Sequence, residues 1–269
     1  MAKTYTQVLT IAGSDCSGGA GIQADIKTFS ALGCYAMSVI TALTAQNTRG
    51  VRGIHPVPPA FLKDQLDAIF EDIPPAATKI GMLHTAEQIQ VVADRIRAYT
   101  PPNVVLDPVM RSQGGISLLE ADAMSVLKEQ LVPLSNLLTP NLPEASLLLN
   151  RSINNLEDMK SGARELAAMT RSHVLLKGGH MKGHTVRDLL FLYPENRFEC
   201  FEAKRIDTVN DHGTGCTLSA AITAFLAKGD AILKAVGAAK AYITQALKGG
   251  VPYEIGKGRG PVHHFYDFW

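Results

Sequence analysis

The densest chemical signal in the chain is Asp211-His212-Gly213-Thr214-Gly215-Cys216. Its glycines leave backbone amides unhindered and permit positive φ. A helix beginning here would direct free N–H groups and its positive dipole end into the loop. Gly213, Thr214, Gly215 and Cys216 then read as an anion hole suited to a phosphoryl group in transfer. Cys216, in the first turn, is expected to have a lowered thiol pKa. On pattern alone, a tight packing turn with Cys216 as a small buried hydrophobe stays open.

Lys177 ends an apolar run and precedes Gly178-Gly179. A cation there neutralises phosphate oxygens as a point charge, or is merely an exposed strand end. Asp107 and Glu144 stand at or just beyond strand ends. Mg²⁺ uses one or two carboxylates with substrate phosphates and water, although helix capping is the alternative for Glu144. Asp25 faces either solvent or the site, and from the residues alone reads as a solvated helix acid. The stretch Gly13 to Gly21 matches neither a P-loop nor a clean GxGxxG, so a Rossmann oxidoreductase is a poor fit. His84, His173, His180 and His184 lack metal-ligand spacing, and His263-His264 are adjacent. No structural zinc is expected. Carboxylate-and-nucleotide binding is the only metal chemistry the sequence supports.

The composition removes several classes. In 269 residues, 26 basic against 25 acidic side chains leave no footprint for nucleic acid and no polybasic membrane patch. No apolar run approaches the roughly 20 residues that span a bilayer. Val8 to Ala12 is too short for a secretory core and reads as a first strand. Cys16, Cys34, Cys200 and Cys216 are scattered, so reduced thiols in a cytosol are expected. No linker divides the chain, which predicts one domain over 1–269.

These groups need elements to position them. Strands are predicted at Gln7–Ala12, Tyr35–Leu43, Thr78–Met82, Asn103–Asp107, Asn136–Thr139 and His173–Lys177, with a strand pair at Val186–Tyr193 and Phe198–Ala203. Helices are predicted at Gly21–Leu32, Phe61–Phe70, Ala86–Tyr99, Ala121–Leu131, from Pro143, and at Leu156–Met169, Gly215–Leu226 and Ala231–Leu247. Apolar strands with helical crossovers make an α/β protein whose mostly parallel sheet is covered on both faces. In such sheets ligands bind outside the carboxyl ends of the strands, which is where the polar and glycine-rich segments fall.

In matching order from about residue 8 onward, several motifs carry a resemblance. They are Leu9-Thr10-Ile11-Ala12-Gly13-Ser14-Asp15, Ser17 to Asp25, Val39 to Leu43, Ala45-Gln46-Asn47-Thr48 and Lys79-Ile80-Gly81-Met82-Leu83. Val105 to Met110, Thr139 to Ala145, Lys177-Gly178-Gly179-His180, His212 to Ala221 and the Gly256 to Phe265 tail continue it. Together they resemble the hydroxymethylpyrimidine/phosphomethylpyrimidine kinases of thiamine biosynthesis.

The resemblance implies a ribokinase-like three-layer α/β/α sandwich, usually a homodimer. It implies ATP-dependent phosphorylation, with Mg²⁺, of 4-amino-5-hydroxymethyl-2-methylpyrimidine to its monophosphate and then its diphosphate. Gln46 would bond the pyrimidine edge, with Ala20, Met82, Val109, Cys216 and the Gly13 backbone around the ring. Thr44 stands where a Val is expected, which puts a hydroxyl on that wall of the pocket. Asp25 and Lys177 would serve the phosphate end. Asn141, Glu144, Asp107 and Lys177 would hold Mg-ATP. Many ribokinase-like sugar kinases have an aspartate base where this chain has Cys216, so a thiolate would take the first hydroxyl proton. The second acceptor is an already ionised phosphate, so Cys216 is expected to matter more in the first step. The short segment 181–187 is expected to leave the nucleotide open. A pyridoxal/pyridoxine kinase is the nearest alternative. A sugar kinase fits the Cys216 position poorly, and a non-catalytic binding module would not need Lys177, Glu144 and the anion loop.

Overall fold

The structure, a computed structural model, describes residues 3–112, 114–181 and 183–269. In chain order it forms β1 (Gln7–Asp15), α1 (Gly21–Ala31), β2 (Tyr35–Asn47), β3 (Gly50–Pro56), α2 (Pro59–Asp72), β4 (Ala77–Ile80), α3 (Ala86–Tyr99) and β5 (Val104–Leu106). It continues with α4 (Ala123–Val126), β6 (Leu137–Leu138), α5 (Leu142–Leu149), α6 (Leu156–Thr170), β7 (His173–Lys177), β8 (Thr185–Leu192), β9 (Arg197–Lys204), α7 (Thr214–Ala227) and α8 (Ile232–Gly250).

Among the described residues nine strands join one sheet, in the order β3-β2-β1-β4-β5-β6-β7-β8-β9. From β2 to β7 the pairing is parallel. β3 at one edge, and β8 with β9 at the other, run antiparallel. Strand side chains alternate between the faces. Leu9, Ile11 and Leu106 face α2, α3 and α6 through Leu66, Ile89 and Leu166. On the opposite face Val105, Leu137 and Leu175 meet α7 and α8 through Leu218, Ile222 and Ile243. Val8 meets α1 through Phe29. Each such fully buried side chain contributes roughly 1.5–3 kcal/mol, so two covered faces explain why these strands are continuously apolar. This is the expected α/β sandwich.

Two elements differ from expectation. β3 was not predicted: Gly50, Gly53 and Pro56 mask a strand that exists by pairing with the long end of β2. The helix expected over 121–131 is only α4, followed by a π turn at Leu127–Leu131 and a 3₁₀ turn at Val132–Leu134. Pro133 has no N–H to continue the ladder. Position 182, in the short 181–187 segment, lies outside the described residues.

The chain leaves β1 toward β2 on one side and returns to β4 on the other. That reversal opens a crevice at the carboxyl ends of β1 and β4.

Candidate functional site

Two loops meet over that crevice. Gly213 precedes α7 at φ 79, and a Cβ there would lie 1.8 Å from the Gly19 carbonyl oxygen. Only glycine allows this approach of the 211–216 loop to the 13–21 loop. Asp15 fastens the contact. Its Oδ2 accepts from the N–H groups of Gly19 and Ala20 at 3.1 and 2.9 Å, and lies 2.9 Å from His212 Nε2. Its Oδ1 accepts from Ser17 N and Oγ at 2.9 and 2.7 Å. Burial alone would raise the Asp15 pKa, but the bonds from His212 and Ser17 outweigh it and bring it down to about 2. α7 begins with no side-chain cap, which leaves first-turn N–H groups for a ligand.

Beside the loop lies a group of buried charges. Lys177 Nζ is 2.6 Å from Asp107 Oδ1, and Ser219 Oγ donates to Asp107 Oδ2 at 3.0 Å. Burial opposes ionisation of Asp107, yet Lys177 and Lys79 hold its pKa below the usual range. Asn141 and Glu144 form a capping box at the start of α5. The Asn141 N–H donates to Glu144 Oε2 at 2.7 Å, and the Glu144 N–H donates to Asn141 Oδ1 at 2.9 Å. Burial, reinforced by Asp107 and opposed by Lys177, pushes Glu144 up to about 7. Among the described residues no cluster of three or more His, Cys, Asp or Glu is close enough to hold a metal by itself. Asp107 and Glu144 line one cavity, and a pair of carboxylates is the donor set that Mg²⁺ takes together with phosphate oxygens and water.

A cavity of about 770 Å³ runs along this rim. Gly13, Ala20, Thr44, Gln46, Met82 and Val109 line one part of it. Asp107, Asn141, Glu144 and Lys177 line another, with Gly213, Thr214, Gly215 and Cys216 also on its wall. Asp25 is the one predicted site residue not on the wall. It is fully buried, 2.8 Å from Lys79 Nζ, and accepts from Thr10 Oγ1 at 2.6 Å. It is therefore not the solvated helix acid that the residues alone favour. Burial raises its pKa against the pull of Lys79.

Cys216 is half-buried. Burial, with Asp25 and Asp107 adding to it and Lys79 opposing, pushes the thiol up to about 11. The expected lowering is not met: burial of the thiol, with Asp25 and Asp107 behind it, disfavours the thiolate.

Sequence reasoning gave no role to Asp15, His212 or Lys79. The signal for Lys79 was a lone charge inside the short buried strand Ala77–Ile80, which needs a buried partner.

A family model described as phosphomethylpyrimidine kinase matches residues 15–263. The chain belongs to the phosphomethylpyrimidine kinase family. The hydroxymethylpyrimidine/phosphomethylpyrimidine kinase of Rhizobium meliloti is 50% identical over 262 residues, covering 97% of each chain. A thiamine biosynthesis bifunctional protein of Geobacter sulfurreducens is 51% identical over 96% of this chain, which spans 52% of that longer protein. The crystal structure of a phosphomethylpyrimidine kinase from Clostridium difficile superposes with a TM-score of 0.80 at 46% identity, covering 89% of this chain and 98% of that one. A pyridoxal kinase from Staphylococcus aureus in complex with pyridoxal reaches a TM-score of 0.90 at 34% identity, covering 99% and 96%. Kinases of this family and pyridoxal kinases thus share one fold with this chain.

Proposed function

We propose that the protein transfers the γ-phosphoryl group of ATP to the hydroxymethyl group of 4-amino-5-hydroxymethyl-2-methylpyrimidine, and then a second phosphoryl group to the monophosphate. The observation that carries this reading is the joining of the ring end to the anion loop. The Gln46 carboxamide ends 3.2 Å from His212 Nε2, and His212 immediately precedes the glycine that opens α7. A flat ring held at Gln46 has its hydroxymethyl arm beside the uncapped helix start.

The chemistry follows from the residues. A loose phosphoryl-transfer transition state asks for alignment and charge stabilisation. The first-turn amides of α7 supply fixed donors, and Lys177 supplies a buried cation. Asp107 and Glu144, with Asn141 nearby, would hold the Mg²⁺, which supplies charge neutralisation on the phosphates when bound. Asp25 acts at one remove, by fixing Lys79 on the cavity wall. Cys216 contributes its backbone N–H and ring contact, since its thiol is protonated near neutral pH.

The proposal extends to a single kinase domain over 1–269, acting in the cytoplasm as a homodimer. No helix among the described residues is long and apolar enough to cross a membrane.

The test is a coupled ATPase assay with Mg²⁺, offering the aminopyrimidine and pyridoxal separately and at equal concentration. Preferred turnover of the aminopyrimidine to a diphosphate supports the reading. Preferred turnover of pyridoxal moves the protein to the second reading, a pyridoxal kinase, which the Staphylococcus aureus superposition favours.

A further inference from the structure

Gln46 is bracketed by two polar groups. The terminal atoms of its carboxamide lie 3.2 Å from Thr44 Oγ1 and 3.2 Å from His212 Nε2. Thr44 and Gln46 are two residues apart on β2 and share a face. Thr44 is also the register partner of Asp15 on β1.

A carboxamide presents a donor at one end and an acceptor at the other, in nearly the same shape. The surrounding bonds decide which end points where. Asp15 decides it at His212. An ionised carboxylate 2.9 Å from Nε2 requires that nitrogen to carry the proton and give it to Asp15. Nε2 then has no lone pair to offer a Gln46 N–H. With the amide nitrogen toward His212, two N–H donors oppose each other. A half-turn about the last side-chain bond removes the conflict. Thr44 agrees independently. Its single proton goes to the Ser14 carbonyl at 2.9 Å, which leaves an oxygen lone pair to accept from the Gln46 amide. Both neighbours demand oxygen toward His212 and nitrogen toward Thr44.

We propose that Thr44 and the Asp15–His212 pair are positioning residues that hold the Gln46 carboxamide in one orientation. The site thereby selects rings with an exocyclic amino group beside a ring-nitrogen acceptor and rejects rings in which donor and acceptor are exchanged. This rests on the reading that Gln46 meets the pyrimidine edge. A 4-oxo ring with a protonated N3 has the same outline as the 4-amino ring and the inverse pattern. A carboxamide free to turn pairs with either ring; a fixed one leaves both of its ends opposed to the oxo ring.

The test is calorimetric binding of 5-hydroxymethyl-2-methylpyrimidine in its 4-amino and 4-oxo forms. Wild-type protein is expected to prefer the amino ring. Thr44→Val keeps the side-chain outline and removes the hydroxyl. It is expected to shrink the preference about tenfold, one hydrogen bond's worth, chiefly by improving oxo-ring binding. Thr44→Ser should keep the wild-type ratio, which a mere packing role would not predict. An unchanged ratio in Thr44→Val overturns the inference. So does equal affinity of the wild type for the two rings, which needs no variant to fold. A wild-type protein that turns over no aminopyrimidine overturns the functional reading, and this inference with it.

Discussion

Lys177 and Asp107 stand 70 residues apart in sequence and 2.6 Å apart in space. Each ends or follows a parallel strand, and only β6 separates those strands in the sheet. The lysine is thus held by a carboxylate at the rim where phosphate would lie. Lys177→Met is expected to lower kcat by about 10²–10³, the typical cost of removing one preorganised stabiliser of developing charge. Arginine at 177 should not restore it, because a planar fork does not replace a compact ammonium in a buried slot. Single-turnover kinetics at saturating Mg-ATP would check both.

Glu144 gives a proton-linked prediction. Its pKa is raised from 4.5 to about 7, so between those values the folded chain holds more protons than the unfolded one. That contribution to stability is full below the lower value and lost as pH rises through the upper one. Mg²⁺ with nucleotide favours the ionised carboxylate, so binding at pH 7 should release roughly half a proton from this site. Titration calorimetry in two buffers of different ionisation enthalpy would measure the release. Glu144→Gln should abolish it while its carbonyl oxygen keeps the bond to the Asn141 N–H.

The covered sheet was legible from periodicity, because the central strands are buried on both faces and read as unbroken apolar runs. The glycines before α7 were legible for a similar reason: the approach at Gly213 tolerates no Cβ. Charge pairing across the sheet was not. Nothing local to Asp25 or Lys79 announces the other, since the pair exists only once α1 packs against β1 and β4 joins β1 in the sheet. The raised Cys216 pKa was not legible, because helix-terminus reasoning is local, whereas the burial of the thiol and the carboxylates of Asp25 and Asp107 come from distant segments. β3 was hidden because its pairing, not its composition, makes it a strand.

The Lys79–Asp25 pair predicts non-additivity. Both side chains are fully buried, so removing either alone strands the other's charge. Lys79→Met is expected to cost about 3–5 kcal/mol. The double variant Lys79→Met with Asp25→Leu should recover much of that loss in urea unfolding, while phosphoryl transfer stays impaired. Additive losses would mean the two groups act separately.

Cys216 can be tested by chemistry and by kinetics. A thiol raised to about 11 should alkylate slowly at pH 7.5 and accelerate toward pH 11, as followed by peptide mass mapping to separate it from exposed Cys16 and Cys200. Cys216→Ala retains the backbone N–H. If that N–H is the main contribution, both phosphorylation steps should fall by less than about tenfold, because a general base typically contributes 10²–10⁴. A loss confined to the first step and larger than a hundredfold would instead restore the thiolate as its base.

His264 ties the tail of the chain to the anion helix. Its Nε2 lies 3.1 Å from Thr217 Oγ1, one residue beyond Cys216, and its carbonyl accepts from the Tyr242 hydroxyl at 2.6 Å. Burial, with Lys27 and His263 adding to it, lowers its pKa from 6.5 to about 3. Between those values the unfolded chain binds the extra proton and the folded chain does not. Stability linked to this ring is therefore complete above pH 6.5 and lost as pH falls toward 3. Going from pH 7 to pH 5 should cost about 2 kcal/mol through His264 alone. Glu144 acts with the opposite sign over part of the range, so the quantity to compare is wild type against His264→Gln. Glutamine cannot titrate but can still meet Thr217. Urea unfolding at the two pH values should show a flatter dependence in the variant by about that amount, and parallel curves would mean the ring is protonated in the folded protein.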